Sequence, residues 1–166
     1  MRHFTRLFFC SILLCVLMSC SGYKQAGEAP IVLNTDERTL AFGEIDNPTL
    51  ETWLVPEIRS AMRNELNNRG WVTWKSRNSA KTILEIDIVR YTDNANLKGT
   101  NDQTLRYASS ITAQARLISR IDKTILWRTP EISESQSWYS GEQSAANTKM
   151  VKELVRRIAE LMEENY

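Results

Sequence analysis

Histidine and cysteine are almost missing from this sequence, and the positions of the few decide what chemistry remains. The single histidine is His3, and the three cysteines are Cys10, Cys15 and Cys20. Beyond Cys20 there is no imidazole to act as general base, no thiol nucleophile and none of the usual zinc ligands. No disulfide is available either, so a folded domain must be held by its core alone. Serines and carboxylates remain, but no base accompanies the run Ser133 to Ser137. Catalysis is therefore not expected, and neither is a metal or cofactor. Charge of one sign is also lacking: 21 Lys and Arg stand against 20 Asp and Glu. That balance gives no electrostatic case for nucleic acid as a partner. Long hydrophobic runs are absent as well. The apolar stretch from Leu7 to Met18 is too short for an ordinary membrane-spanning helix.

What is present at the N-terminus is more specific. Arg2 and Arg6 precede the apolar stretch, which ends in Leu17-Met18-Ser19-Cys20. A basic start, a short apolar centre and small residues at the cut describe a secretory signal over residues 1–19. Leu three positions before the cysteine and Ser directly before it resemble the bacterial lipobox. Cys20 is thus the expected lipidation site, and two or more acyl chains make a stable membrane anchor. Removing Arg2 and Arg6 leaves 19 basic against 20 acidic side chains. Residues 20–36 read as a lipidated tether, each extended residue adding at most about 3.5 Å of reach. Residues 37–166 are long enough for one domain and hardly for two.

Within that domain, Thr39 to Gly43 reads as a first strand closed by a turn at Asp46-Asn47-Pro48. A helix capped by Asn47 or Thr49 should follow, with Leu50, Leu54, Ile58, Met62 and Leu66 on one stripe and Gly70 as its stop. Pro56 places either a kink or the start of the main helix near itself. Trp71 to Trp74 is a short strand, and Thr82 to Tyr91 a third. A polar loop, Thr92 to Asn101, leads into a long fourth strand, Thr104 to about Arg120. Asp122-Lys123 suggests a two-residue hairpin turn into a fifth strand running unevenly to Tyr139, where Pro130 argues for an edge or a bulge. Ser140 to Gln143 has the form of a capping box for a last amphipathic helix. The fold class is α+β: a two-layer sandwich with two amphipathic helices on one face of a mixed, mainly antiparallel four- or five-stranded sheet.

The other sheet face is then open. With a two-residue turn, Arg116 faces Thr129 and Ile118 faces Trp127. Ile118, Ile125 and Trp127 would lie on the open side as an apolar partner surface, beside Ile83, Val89, Tyr91 and Arg106. Arg90, Lys98 and Arg106 gather about the polar loop as a candidate anion-binding tip, and Arg116 adds a guanidinium to the face.

The lipidated cysteine followed by Gly22-Tyr23, then strand, helix, short strand and strand, resembles the LptE family of lipopolysaccharide-assembly lipoproteins. The segments that carry this are Leu40-Ala41-Phe42, Leu54 to Gly70 leading into Trp71-Val72, Ala80 to Tyr91, the hairpin Ile121 to Trp127, and the last helix. The resemblance implies a non-enzymatic partner and plug of the outer-membrane β-barrel that delivers lipopolysaccharide. It implies contact with lipopolysaccharide, with Arg90, Lys98, Arg106 and Arg116 meeting lipid A phosphates. Ser21 after Cys20 is similar to lipoproteins forwarded to the outer membrane. The alternative is a periplasmic adaptor lipoprotein that regulates another envelope complex, such as a peptidoglycan synthase.

Overall fold

A computed structural model describes residues 31–98 and 104–163, of which 95–98 and 104–105 are described by their backbone. The expected signal, Cys20 and the tether up to residue 30 lie outside the described residues. So does the side chain of Lys98.

Among the described residues, six strands and two α-helices follow a short 3-10 turn (Thr35–Glu37) in the order β1 (Thr39–Asp46), α1 (Leu54–Arg69), β2 (Thr73–Trp74), β3 (Thr82–Lys98), β4 (Thr104–Ser119), β5 (Ile125–Arg128), β6 (Ile132–Trp138) and α2 (Gln143–Glu163). The sheet runs β2-β1-β3-β4-β5, and β6 also pairs with β4. β1 is parallel to β2 and β3, and the other pairings are antiparallel.

Helix α1 forms because Leu54, Ile58, Met62 and Leu66 recur every four residues and are all buried. Leu50 does not extend that stripe. It precedes the helix and is 96% exposed. Pro56 stands in the first turn, where its missing N–H costs nothing. Asn47 shapes the approach instead of capping: its Oδ1 accepts from Thr49 N–H at 3.1 Å and its Nδ2 donates to the Glu51 carbonyl at 2.9 Å. Gly70, at φ 66°, closes the helix in the left-handed region, and its N–H returns to the last turn. Helix α2 buries Met150, Val151, Leu154, Val155, Ile158 and Met162. In place of the expected Ser140–Gln143 capping box, a turn leads into the helix, with Tyr139 N–H donating to the Glu142 carboxylate at 3.2 Å and Glu142 N–H to the Tyr139 carbonyl at 3.0 Å.

One core joins both helices to one sheet face: Leu40, Leu84, Ile86, Ile88, Ile111 and Leu117 meet the apolar stripes of α1 and α2. Leu33 is buried in it, and Val32 N–H donates to the Met162 carbonyl at 2.9 Å. The fold thus takes in residues ahead of position 37.

Several sequence expectations are corrected here. Most of the polar loop after Tyr91 is strand, because β3 keeps pairing with β4 as far as Lys98↔Thr104. The fifth strand is two strands. At the break, Thr129 N–H donates to the Ala115 carbonyl at 2.9 Å, and Thr129 Oγ1 accepts the Ala115 N–H at 2.9 Å. That side chain replaces the ladder bond which Pro130 interrupts.

The β4–β5 connection is longer than two residues. Ser119 N–H donates to the Thr124 carbonyl at 2.9 Å, Lys123 N–H donates to the Ser119 carbonyl at 3.0 Å, and Lys123 takes a positive φ of 62°. The register is Arg116↔Arg128, Leu117↔Trp127 and Ile118↔Ile125, with a bulge at Leu126 between the last two pairs. A slip of this kind moves a side chain to the opposite face. Trp127 consequently lies in the core at 8% exposure and not on the open side.

Candidate functional site

The open face of the sheet is built by the outward residues of β3, β4, β5 and β6. On β4 these are Arg106, Ala108, Ser110, Thr112, Gln114, Arg116 and Ile118. Opposite them β3 supplies Ile83 against Ile118, Glu85 against Arg116 and Asp87 against Gln114. A bulge at Val89 then exchanges the faces of β3, so that Arg90 pairs with Thr112 and Thr92 with Ser110. Tyr91 is carried to the helix side, where its hydroxyl donates to Asn147 Oδ1 at 3.4 Å and its ring meets Trp53 edge-on at 5.7 Å. Burial raises its pKa.

This surface is polar, not the apolar mixture expected. Hydroxyls pair across strands, Thr92 with Ser110 at 2.7 Å and Thr112 with Ser133 at 2.8 Å. Its apolar residues are few: Val89, 47% exposed at the bulge, and a group at one end. There Ala41, Ala80 and Ile83 form a small buried cluster, and Ile118, partly buried, pairs with Ile125, which is 56% exposed.

Arg116 is already occupied. Its Nε donates to Glu85 at 2.9 Å and an Nη to Asp87 at 2.7 Å. The hydrogen bond to Glu85 and the charges of Asp87 and Asp46 raise its pKa against the opposing effect of burial. Gly43 makes room for this pair: a Cβ there would stand 2.6 Å from Glu85 Cγ and 2.7 Å from Ile83 Cγ2. Arg90 and Arg106 are exposed and have no ion pair among the described residues. They do not converge. Arg90 lies opposite Thr112, six residues from Arg106 along β4, or about 20 Å. Arg106 pairs with Leu97 and so stands beside Lys98 in the backbone register. Arg128, also exposed, lies opposite Arg116 in register, so the face carries a line of cations of which Arg116 is neutralised.

Two further features escaped the sequence reading. A groove of about 600 Å³ opens between the first turns of the helices, lined by Glu51, Trp53, Pro56, Glu57, Gln143 and Asn147 among others. Trp53 Nε1 donates to Glu51 at 2.8 Å, and Asp93 accepts from Gln143. Burial and the nearby Glu51 charge raise the Asp93 pKa. The groove holds carboxylates and amides without a nucleophile–base pair.

The second lies beside the β2 edge. Phe42 and Trp74 stack at 4.6 Å between centroids, with Arg59 over Phe42 at 4.8 Å and Arg63 over Trp74 at 4.8 Å. The spacing of Arg59 and Arg63 was legible, but that their turn of helix crosses two aromatic rings was not. No group of three or more His, Cys, Asp or Glu suited to a metal occurs among the described residues.

The model of the LptE lipopolysaccharide-assembly family matches residues 37–162. This chain belongs to that family. LptE membership accounts for two helices on a mixed open sheet, as do solved structures at low identity. A minor lipoprotein from Acinetobacter baumannii is 12% identical, with 78% of this chain and 92% of that chain covered and a TM-score of 0.52. Lipoprotein B from Nitrosomonas europaea is 18% identical, with coverage of 82% and 87% and a TM-score of 0.51. At such identities they show the fold alone. No curated protein sequence matches the chain.

Proposed function

We propose that this LptE-family protein is a lipid-anchored, non-catalytic partner of the outer-membrane β-barrel that places lipopolysaccharide at the cell surface. Cys20 carries the acyl chains, and the domain sits in the barrel lumen as a plug. The observation that carries this reading, beyond family membership, is the chemistry of the open sheet face. Barrel interiors are polar, while their outer bands are apolar. A face of paired hydroxyls, Gln114 and ion-paired Arg116 suits such a lumen and is ill suited to acyl chains. Among the described residues no helix is long and apolar enough to cross a membrane.

Arg90, Arg106 and Arg128 are exposed cations on this face, and Lys98 neighbours Arg106 in register. They meet lipopolysaccharide phosphates one at a time as the lipid passes, while Arg116 holds the sheet. Ile118 and Ile125 offer a small apolar contact to the barrel wall.

Mild-detergent extraction and identification of co-purifying proteins tests the reading. A large outer-membrane barrel recovered with the wild type, and lost with Cys20→Ala, is the expected result. Recovery of an inner-membrane peptidoglycan synthase in its place would establish the adaptor alternative.

A further inference from the structure

Arg59 and Arg63 lie one turn apart on α1, above the ring pair that β1 and β2 place at the sheet edge. Arg59 stands 4.8 Å over the Phe42 ring, and Arg63 stands 5.7 Å over Phe42 and 4.8 Å over Trp74. The rings are themselves stacked within 12° of parallel, so the floor is fixed by two paired strands. A guanidinium lying on an aromatic face keeps its N–H groups directed edgewise, free for a ligand.

The charge of this pair is unanswered within the described residues. Arg69 bonds Glu65 and Glu163, Arg116 bonds Glu85 and Asp87, and Arg156 bonds Glu153 and Glu160. Arg59 and Arg63 have no carboxylate within ion-pair reach among the described residues. Like charges four residues apart repel on a helix, yet the ring floor holds them together. The Trp74 Nε1 beneath is buried without an acceptor. Every polar group of the cluster is thus a donor, and what it lacks is oxygen acceptors.

We propose that Arg59 and Arg63, on the Phe42–Trp74 floor, form a phosphate-binding clamp. A carboxylate is filled by one guanidinium fork, whereas a tetrahedral phosphate offers oxygens to two forks approaching from different sides. The group is borne by a lipid headgroup or is free in solution. The clamp rests on the function proposed above only for which phosphorylated lipid it meets, and it is separate from the arginines of the open face.

Binding is measured with the full mature chain against two probes: inorganic pyrophosphate, and detergent micelles with and without diphosphorylated lipid A. Wild type is expected to bind lipid A micelles, with affinity lowered about tenfold or more in R59A/R63A. R59K/R63K, which keeps the charge and loses the forks, should fall between. Parallel loss of pyrophosphate binding identifies a free-phosphate site, and loss confined to micelles identifies a headgroup site. Absence of wild-type binding to both probes, or equal affinity in R59A/R63A, overturns the clamp. Barrel co-purification separates the two readings. If the wild type recovers no barrel while R59A/R63A still loses phosphate binding, the barrel reading falls and the clamp stands.

Discussion

Arg116 and Gly43 depend on each other. The guanidinium satisfies two carboxylates on the neighbouring strand, and Gly43 leaves the space in which Glu85 lies. Replacing Arg116 with Met strands Glu85 and Asp87 beside one another. Because Arg116 is about a third exposed, solvent screening reduces the loss to about 1 kcal/mol, read from urea unfolding. Gly43→Val is more disruptive, since its Cβ meets Glu85 and Ile83 well inside contact distance. A loss of about 1–3 kcal/mol is expected in the same measurement. Asp93 gives a prediction in pH. Its pKa is raised above the usual 3.8, so the folded protein holds that proton more tightly than the unfolded chain. Stability from this group is intact below the usual value and is lost as pH rises through the raised one. Asp93→Asn should melt higher than the parent at pH 7 and match it at pH 3, by thermal unfolding followed by circular dichroism.

Among the elements, the broken edge strand is the most informative. Thr129 is 2% exposed and satisfies the Ala115 N–H in place of a strand partner. Thr129→Val keeps the shape and orphans that donor, for an expected cost of about 1–3 kcal/mol, while Thr129→Ser keeps the bond. The hairpin register is tested similarly. Trp127→Ala should cost about 3–5 kcal/mol if Trp127 is core, against a few tenths for Ile125→Ser.

Both helices were legible because four-residue repeats such as Leu54, Ile58, Met62 and Leu66 state which side is buried. The alternation of β4 was legible for the same reason. The face assignment of Trp127 and Tyr91 was not. Each depended on one extra residue, the bulge at Leu126 and the bulge at Val89, and a single insertion reverses every outward position after it. The polarity of the open face followed from those two shifts.

At the scale of the molecule, both helices and the core stand on one side of the sheet and a hydroxyl-lined surface on the other. Two separate cationic regions result: Arg90, Arg106 and Arg128 on the open face, and the stacked Arg59 and Arg63 at the β2 edge. A plug in a polar lumen needs the first kind of surface directed at its partner. Photo-crosslinking residues introduced at Gln114 and Ser135, both on the open face, report that contact in intact cells. Adducts of the mature chain with an outer-membrane β-barrel at both positions are the predicted result. Adducts with an inner-membrane protein alone, or no adduct from either position while helix positions such as Lys152 crosslink to the barrel, would contradict it.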